Sequence, residues 1–319
     1  MTSAKPSLPV WIALLGSGIA GALTAAQSRI NGGLSQHLGN GYVTAAVSFG
    51  SGLVILCLVV VLSRRARRGF ALVKKELASG HLPFWALSGG TFGAFFVLAQ
   101  GLVATVIGLA LFTVGVVAGQ VLGGLVIDRI GLGPAGRVDP TLTRVIGMVL
   151  AMIAVVFSVI ADIVNPAGET AQIWLIVFPV LVGFGVSLQA AVNGLLRSAA
   201  QSALTATFVS FLVGTVILVI VAAISVAVQG WPTAWPSGPL YYTGGALGIV
   251  FIALAAILVR TAGVLLLSMS NVAGQLLASV ALEAGLPLAG GVSAGLLAGT
   301  AVALVAVVIA AIPVRKKIV

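Results

Sequence analysis

Long uncharged apolar runs dominate this chain. From Gly41 to Leu62 it reads GYVTAAVSFGSGLVILCLVVVL, 22 residues without an Asp, Glu, Lys or Arg. A helix of about 20 apolar residues matches the hydrocarbon thickness of a bilayer. With no water there to satisfy backbone groups, helices are favoured over open sheet. Ten runs qualify, at roughly 10–28, 42–62, 83–102, 105–126, 144–163, 172–194, 204–228, 239–258, 261–281 and 289–311. The joins near residues 103 and 260 are almost loopless, and Arg260 marks the second. Charged residues make up 7 % of the chain, whereas a soluble domain carries roughly 25 %. Lipid is therefore the expected cover, and the expected fold class is an all-α integral membrane protein. Lys5 and the apolar run after it fit a first span, because no cleavage site precedes a soluble domain.

The few charges orient the spans. Ten crossings put both termini on one side. That side then holds 15 of the 16 basic residues, including the cluster SRRARRGFALVKK from Ser63 to Lys75; only Arg29 lies opposite. The positive-inside rule makes the rich side cytoplasmic. The expected location is a bacterial cytoplasmic membrane with both ends inside. The net charge of +10 sits in clusters between apolar runs, without aromatic interleaving or zinc spacing, so no nucleic-acid partner is expected. The single cysteine, Cys57, excludes an intrachain disulfide and reads as a small apolar residue.

The chain also repeats itself. Gln27 and Asn31 recur as Gln189 and Asn193, and Ser48-Phe49 as Ser210-Phe211, shifted by 162. GGTFG from Gly89 recurs as GGALG from Gly244, Ala118–Gln120 as Ala273–Gln275, and Asp128 as Glu283, shifted by 155. The ordered matches of Gln, Asn and Ser-Phe make chance a poor explanation. Two repeats, 1–165 and 166–319, each hold five spans. An odd number inserts the second copy with opposite polarity, the arrangement of many alternating-access carriers.

Amides in hydrocarbon are costly unless they find partners or a wet cavity. Gln27 and Asn31 share one helix face, as do Gln189 and Asn193. Gln120 and Gln275 each follow a glycine in VAGQ, which lets a neighbouring backbone come close. Ser270 and Asn271 add polarity to the ninth span. Interhelical hydrogen bonding and contact with a translocated substrate both fit these eight residues, and helix-end capping also fits the two Gln/Asn pairs. Asp128, Glu283 and Arg29 are gating or coupling candidates. For the two acids, an interfacial charge at a helix end is the simpler reading; for Arg29 it is snorkelling to the outer headgroups, with an anionic substrate at the outer mouth or a pair with Glu283 as the alternatives. Pro179, Gly183 and Gly185 are the residues at which the sixth span can bend. Trp11, Trp85, Trp174, Trp231 and Trp235 lie near span ends, as interfacial anchors do.

These motifs resemble the YdcZ-type branch of the drug/metabolite transporter superfamily, in its fused two-repeat form. The signs are Q…N in the first span, SF..G in the second, PFWALSGGTFG in the third, and VAGQVLGGLVIDRIGL followed by Arg144 to Gly147. PLYYTGGALG and VAGQLLASVALEAG repeat them more loosely. The resemblance implies ten helices, cytoplasmic termini and transport of small molecules, without naming a substrate. The chain departs from the pattern at ATVIG before Gly108 and VRTAG before Gly263, where the family commonly has a proline.

A secondary carrier of small organic metabolites or drug-like compounds is the expected function, with export favoured by the resemblance alone. Lipid or amphiphile translocation, a passive channel and a structural membrane protein are the alternatives. No nucleophile–base pair, metal cluster or nucleotide motif is visible, so neither an enzyme nor a cofactor is expected. The expected partners are a small-molecule substrate, membrane lipids and, as an open option, a second copy of the chain.

Overall fold

The computed structural model describes residues 8–103, 109–163, 177–285 and 294–312. The terminal basic residues Lys5, Arg315, Lys316 and Lys317, together with Gly108, Glu169 and Trp174, lie outside the described residues, as do the side chains of Thr113, Asp162 and Glu283. The described residues form helices α1 (Val10–Leu38), α2 (Gly41–Leu62), α3 (Arg64–Ala78), α4 (Gly89–Leu102), α5 (Leu109–Ile130), α6 (Leu142–Ile163), α7 (Val177–Ala200), α8 (Ala203–Gln229), α9 (Gly244–Gly285) and α10 (Ala294–Ala311). Short 3-10 turns, Phe84–Leu87 and Pro239–Tyr242, lead into α4 and α9.

Five of these helices (α1, α2, α7, α8 and α9) are long and apolar enough to cross a membrane among the described residues. The chain is an all-α, multi-pass membrane protein. Its exposed surface is apolar, unlike that of a soluble bundle, and some of its polar residues are buried. On α2 the buried positions include Thr44, Ser48 and Gly52, while Val54, Leu58, Val61 and Leu62 are exposed. On α8 Thr205, Thr207 and Ser210 are buried, and Val216, Ile220 and Ile224 are exposed. Apolar side chains cover the outside because lipid is as good a solvent for them as the interior.

Helix ends follow local sequence. Gly39, in the left-handed conformation at φ 61°, ends α1. Asn40 then caps α2, its Oδ1 accepting from the backbone N–H of Tyr42 and Val43 at 3.1 Å each. Its Nδ2 donates to Ser225 Oγ on α8 at 3.0 Å. Ser63 caps α3 and Ser202 caps α8 in the same way. Capping of this kind satisfies the orphan N–H groups of a first turn.

Three boundaries differ from the sequence reading. The first span, expected to end near residue 28, continues to Leu38, so Arg29 lies inside a helix and not in an outer loop. Its inward residues Gln27, Asn31, Leu34, Ser35 and Leu38 keep helical spacing, and the break waits for Gly39. The eighth and ninth spans are both contained in α9. At 42 residues a straight helix would be roughly 63 Å long, twice the hydrocarbon thickness. It is broken at Gly263, with φ 76° and ψ 171°, rather than at Arg260. The basic cluster between the second and third spans forms a helix of its own, α3. The sixth span is uninterrupted from Val177 to Ala200, through Pro179, Gly183 and Gly185.

Those glycines serve close approach. A Cβ on Gly183 of α7 would stand 1.9 Å from the carbonyl oxygen of Val116 on α5, and one on Gly21 of α1 would stand 1.9 Å from that of Asn271 on α9. Gly119 meets the Val180 carbonyl at 1.9 Å, and Gly274 meets that of Gly18 at 1.9 Å. Gly90 meets the Ser210 carbonyl at 1.9 Å, and Gly245 meets that of Ser48 at 2.1 Å. Within each pair, one partner is offset by 162 residues and the other by 155, the same two shifts that relate the sequence motifs. Each contact joins a helix from residues 1–165 to one from residues 166–319. Only backbone lies between the axes there, and van der Waals contact holds them.

Candidate functional site

At the centre, two narrow cavities share Gln189, Phe251 and Ile252. The first lies between α5, α7 and α9, with Gln120, Gln189, Asn193, Ser268 and Asn271 on its wall. The second lies between α1, α2, α4, α7, α8 and α9, and adds Gln27 with the rings of Phe49, Phe96 and Phe211. Each has an internal space of about 10 Å³, the room of roughly one water. In this conformation that space is too small for an organic solute. No charged side chain lines either cavity.

The amides around the two cavities are buried, and several have one end without a partner. Gln120 Nε2, Gln189 Nε2, Asn193 Oδ1 and Asn31 Oδ1 make no hydrogen bond. The other ends of the asparagines are engaged: Asn193 Nδ2 donates to Ser210 Oγ at 3.3 Å, and Asn31 Nδ2 to Gln100 Oε1 at 3.5 Å. Each asparagine presents its Oδ1 to the first glycine of a helix from the other half. A Cβ on Gly89, which opens α4, would lie 2.1 Å from Asn193 Oδ1; one on Gly244, which opens α9, would lie 2.2 Å from Asn31 Oδ1. Leaving a buried amide group unpaired costs about 1–3 kcal/mol, so each unpaired end is a standing demand for a polar partner.

The two VAGQ glutamines differ. Gln275 Nε2 donates to Asn271 Oδ1, one helical turn back. The position equivalent to Asn271 in the first half is Val116, which cannot accept, so Gln120 Nε2 is left on the cavity wall. Ser270 turns away and donates to the Leu14 carbonyl at 2.6 Å, tying α9 to α1. Ser187 Oγ bonds the Gln120 carbonyl at 2.7 Å and Ser268 Oγ at 2.9 Å, so α5, α7 and α9 meet through hydroxyls at the cavity edge.

The gating candidates sit apart from the cavities. Asp128 is buried at the end of α5, its two oxygens accepting from the backbone N–H of Val264 (2.7 Å) and Leu265 (3.0 Å). Arg29 is half-buried on α1 and lines neither cavity. Among the described residues no group of three or more His, Cys, Asp or Glu could hold a metal ion.

Sequence reasoning passed over Gln100, whose Nε2 donates to Ser28 Oγ and whose Oε1 faces Asn31. Its signal was an amide in an otherwise apolar third span, but the repeat places Ala255 at the equivalent position. It also passed over Phe251. Nothing in a run of apolar residues distinguishes the one ring that stands between two cavities.

Two small uncharged cavities lined by amides and aromatic rings thus lie within an all-helical membrane bundle. Residues 12–157 and 174–312 match the family described as "Putative inner membrane exporter, YdcZ", of the drug/metabolite transporter group. The chain belongs to this family, and it is a multi-pass inner-membrane secondary transporter of small organic molecules. No curated protein matches the chain. A crystal structure of a protein with 18 % identity is similar over 95 % of this chain and 96 % of its own, with a TM-score of 0.60, which speaks to the fold alone.

Proposed function

We propose that the chain exports small, uncharged organic molecules by alternating access between two inverted five-helix halves, 1–165 and 166–319. The termini would be cytoplasmic, as the distribution of basic residues favours. The substrate would sit where the two cavities meet, between Gln120, Gln189, Asn193, Asn271 and Phe251.

One observation carries the reading. Two buried donors, Gln120 Nε2 and Gln189 Nε2, line one uncharged cavity and lack partners. A solute with a carbonyl or ring-nitrogen acceptor satisfies them, while an ion entering there would meet no opposite charge and lose its hydration. The paired glycine contacts support the mechanism. Nearly equivalent interfaces on both sides of the centre can exchange conformations at small cost, closing one mouth as the other opens. Both halves of the site lie within one chain, so a homodimer is not required to complete it.

The test is flux in proteoliposomes, with a panel of uncharged and charged solutes ranked first by thermal stabilisation. Gln120→Ala and Gln189→Ala are expected to lower saturable flux of the best neutral solute about five-fold each, the worth of one hydrogen bond near 1 kcal/mol. Wild-type flux in both variants would remove the cavity from the pathway. Non-saturating flux would replace the carrier with a channel.

A further inference from the structure

α3 has no membrane span to complete and no place in the central cavities. It runs from Arg64 to Ala78 as RRARRGFALVKKELA, with six basic residues and one acid, Glu76. Its inner face is Ala66, Gly69 and Val73. That face seats on the turn between α7 and α8: Thr205 Oγ1 donates to the Ala66 carbonyl at 3.0 Å, and Arg65 Nε to the Gln201 carbonyl at 3.1 Å. A Cβ on Gly69 would lie 2.3 Å from Thr205 Oγ1. Phe70 sets its ring edge-on to Phe208 of α8, centroids 5.4 Å apart. A helix of the first half is thus fastened across a hairpin of the second.

Beside this seat is a groove that the protein does not fill. Phe70, Val73, Leu77 and Ala78 of α3 and Phe84 of the next turn line it, with Lys74 among them, and its volume is about 390 Å³. Phe84 is 76 % exposed. An apolar trough with one ammonium, on the side of the protein that collects basic residues, has the chemistry of an acidic phospholipid in both parts. The apolar walls take an acyl chain, and Lys74 takes the phosphate. Surface attraction alone would not need a trough. Of the other α3 charges, Arg67 donates to the Val61 carbonyl, and Arg68 and Lys75 lie about 140–160° around the helix from Phe70 at 100° per residue.

We propose that this groove is a binding site for one anionic phospholipid of the cytoplasmic leaflet, with an acyl chain against Phe70, Leu77 and Phe84 and the phosphate at Lys74. Because α3 is keyed to the α7–α8 turn, the bound lipid steadies a contact between the two halves.

The full-length protein in detergent would be titrated with phosphatidylglycerol and with phosphatidylcholine, and bound lipid read by native mass spectrometry. Phosphatidylglycerol is expected to bind more tightly. Lys74→Gln should weaken its first binding event about five-fold, the effect of one basic group near an anionic surface. Phe84→Ser, at an exposed position, should weaken it as well. The double variant Arg68→Gln/Lys75→Gln removes twice the charge and should leave it within about two-fold of wild type. Equal binding of the two lipids, wild-type binding by Lys74→Gln, or a larger loss in the double variant would each overturn the site. Full displacement by glycerol phosphate would also overturn it, because a headgroup-only site needs no groove. Should Phe84→Ser fail to fold, Lys74→Gln against the double variant still decides.

Discussion

Asp128, at the end of α5, holds the start of a helical segment in the other half of the chain: its two carboxylate oxygens accept the backbone N–H groups of Val264 and Leu265. The helix α9 breaks one residue earlier, at Gly263. The break releases N–H groups that a continuous helix would have used, and Asp128 satisfies two of them from a distance of 136 residues in sequence. A carboxylate at that position also meets the positive end of the helix dipole. Asp128 is therefore a cap supplied in trans by the first half.

Asp128→Ala is expected to lower thermal stability by the worth of a lost helix cap, about 1–2 kcal/mol, and to lower flux more than membrane insertion. Asp128→Asn keeps one acceptor and should fall between. Thermal melts of the purified variants beside proteoliposome flux check both. Unchanged melting in Asp128→Ala would show that the cap contributes nothing.

Gly263 is constrained twice. Its φ of 76° with ψ 171° belongs to a region that is essentially glycine-only, and a Cβ there would stand 2.9 Å from Asp128 Oδ2. Gly263→Ala should cost at least about 1–3 kcal/mol from backbone strain and disturb the cap as well. The combination Gly263→Ala/Asp128→Ala should then be less than additive, since one residue's damage includes the other's partner. Strict additivity in melts would separate the two effects and refute the coupling.

Much of this organisation is legible in the sequence. Apolar runs of bilayer length, nearly free of charge, required membrane helices. The doubled Gln27/Asn31 and Gln189/Asn193 pointed to buried amides, and all four are buried. Three things were not legible. The helical character of α3 was hidden by its charges, although Ala66, Gly69, Val73 and Leu77 keep helical spacing. The continuation of α1 past Arg29 was hidden because hydropathy falls where inward polar residues begin. The different settings of Gln120 and Gln275 depend on whether an asparagine or Val116 stands one turn earlier, and only packing reveals what that difference faces.

The glycine contacts make a graded prediction. Gly21→Ala and Gly183→Ala each drive a methyl into backbone, with Cβ 1.9 Å from a carbonyl oxygen. Neither neighbour is the movable end of a side chain, so the helices must separate and lose contact along their length. Both variants are expected to give little folded protein. Gly50→Ala, which meets nothing within 4 Å, should behave as wild type. Size-exclusion profiles and melts of the three variants check this. A well-folded Gly183→Ala would mean that the α5–α7 interface tolerates wider spacing than the structure shows.

Opposite insertion of the two halves predicts a pattern of solvent access. With Cys57 replaced by Ser, the chain has no thiol, and single cysteines can be placed at exposed ends. On that topology Ser79, after α3, falls on the side that collects basic residues, and Gln229, at the end of α8, on the other. Ser79→Cys should resist a membrane-impermeant maleimide in intact spheroplasts and react in inside-out vesicles. Gln229→Cys should do the reverse. α3 follows α2 in the first half and α8 follows α7 in the second, so the two probes sit after the second span of each half. Were the halves inserted in the same direction, both cysteines would react from the same side, and the paired interfaces could not exchange roles across the membrane.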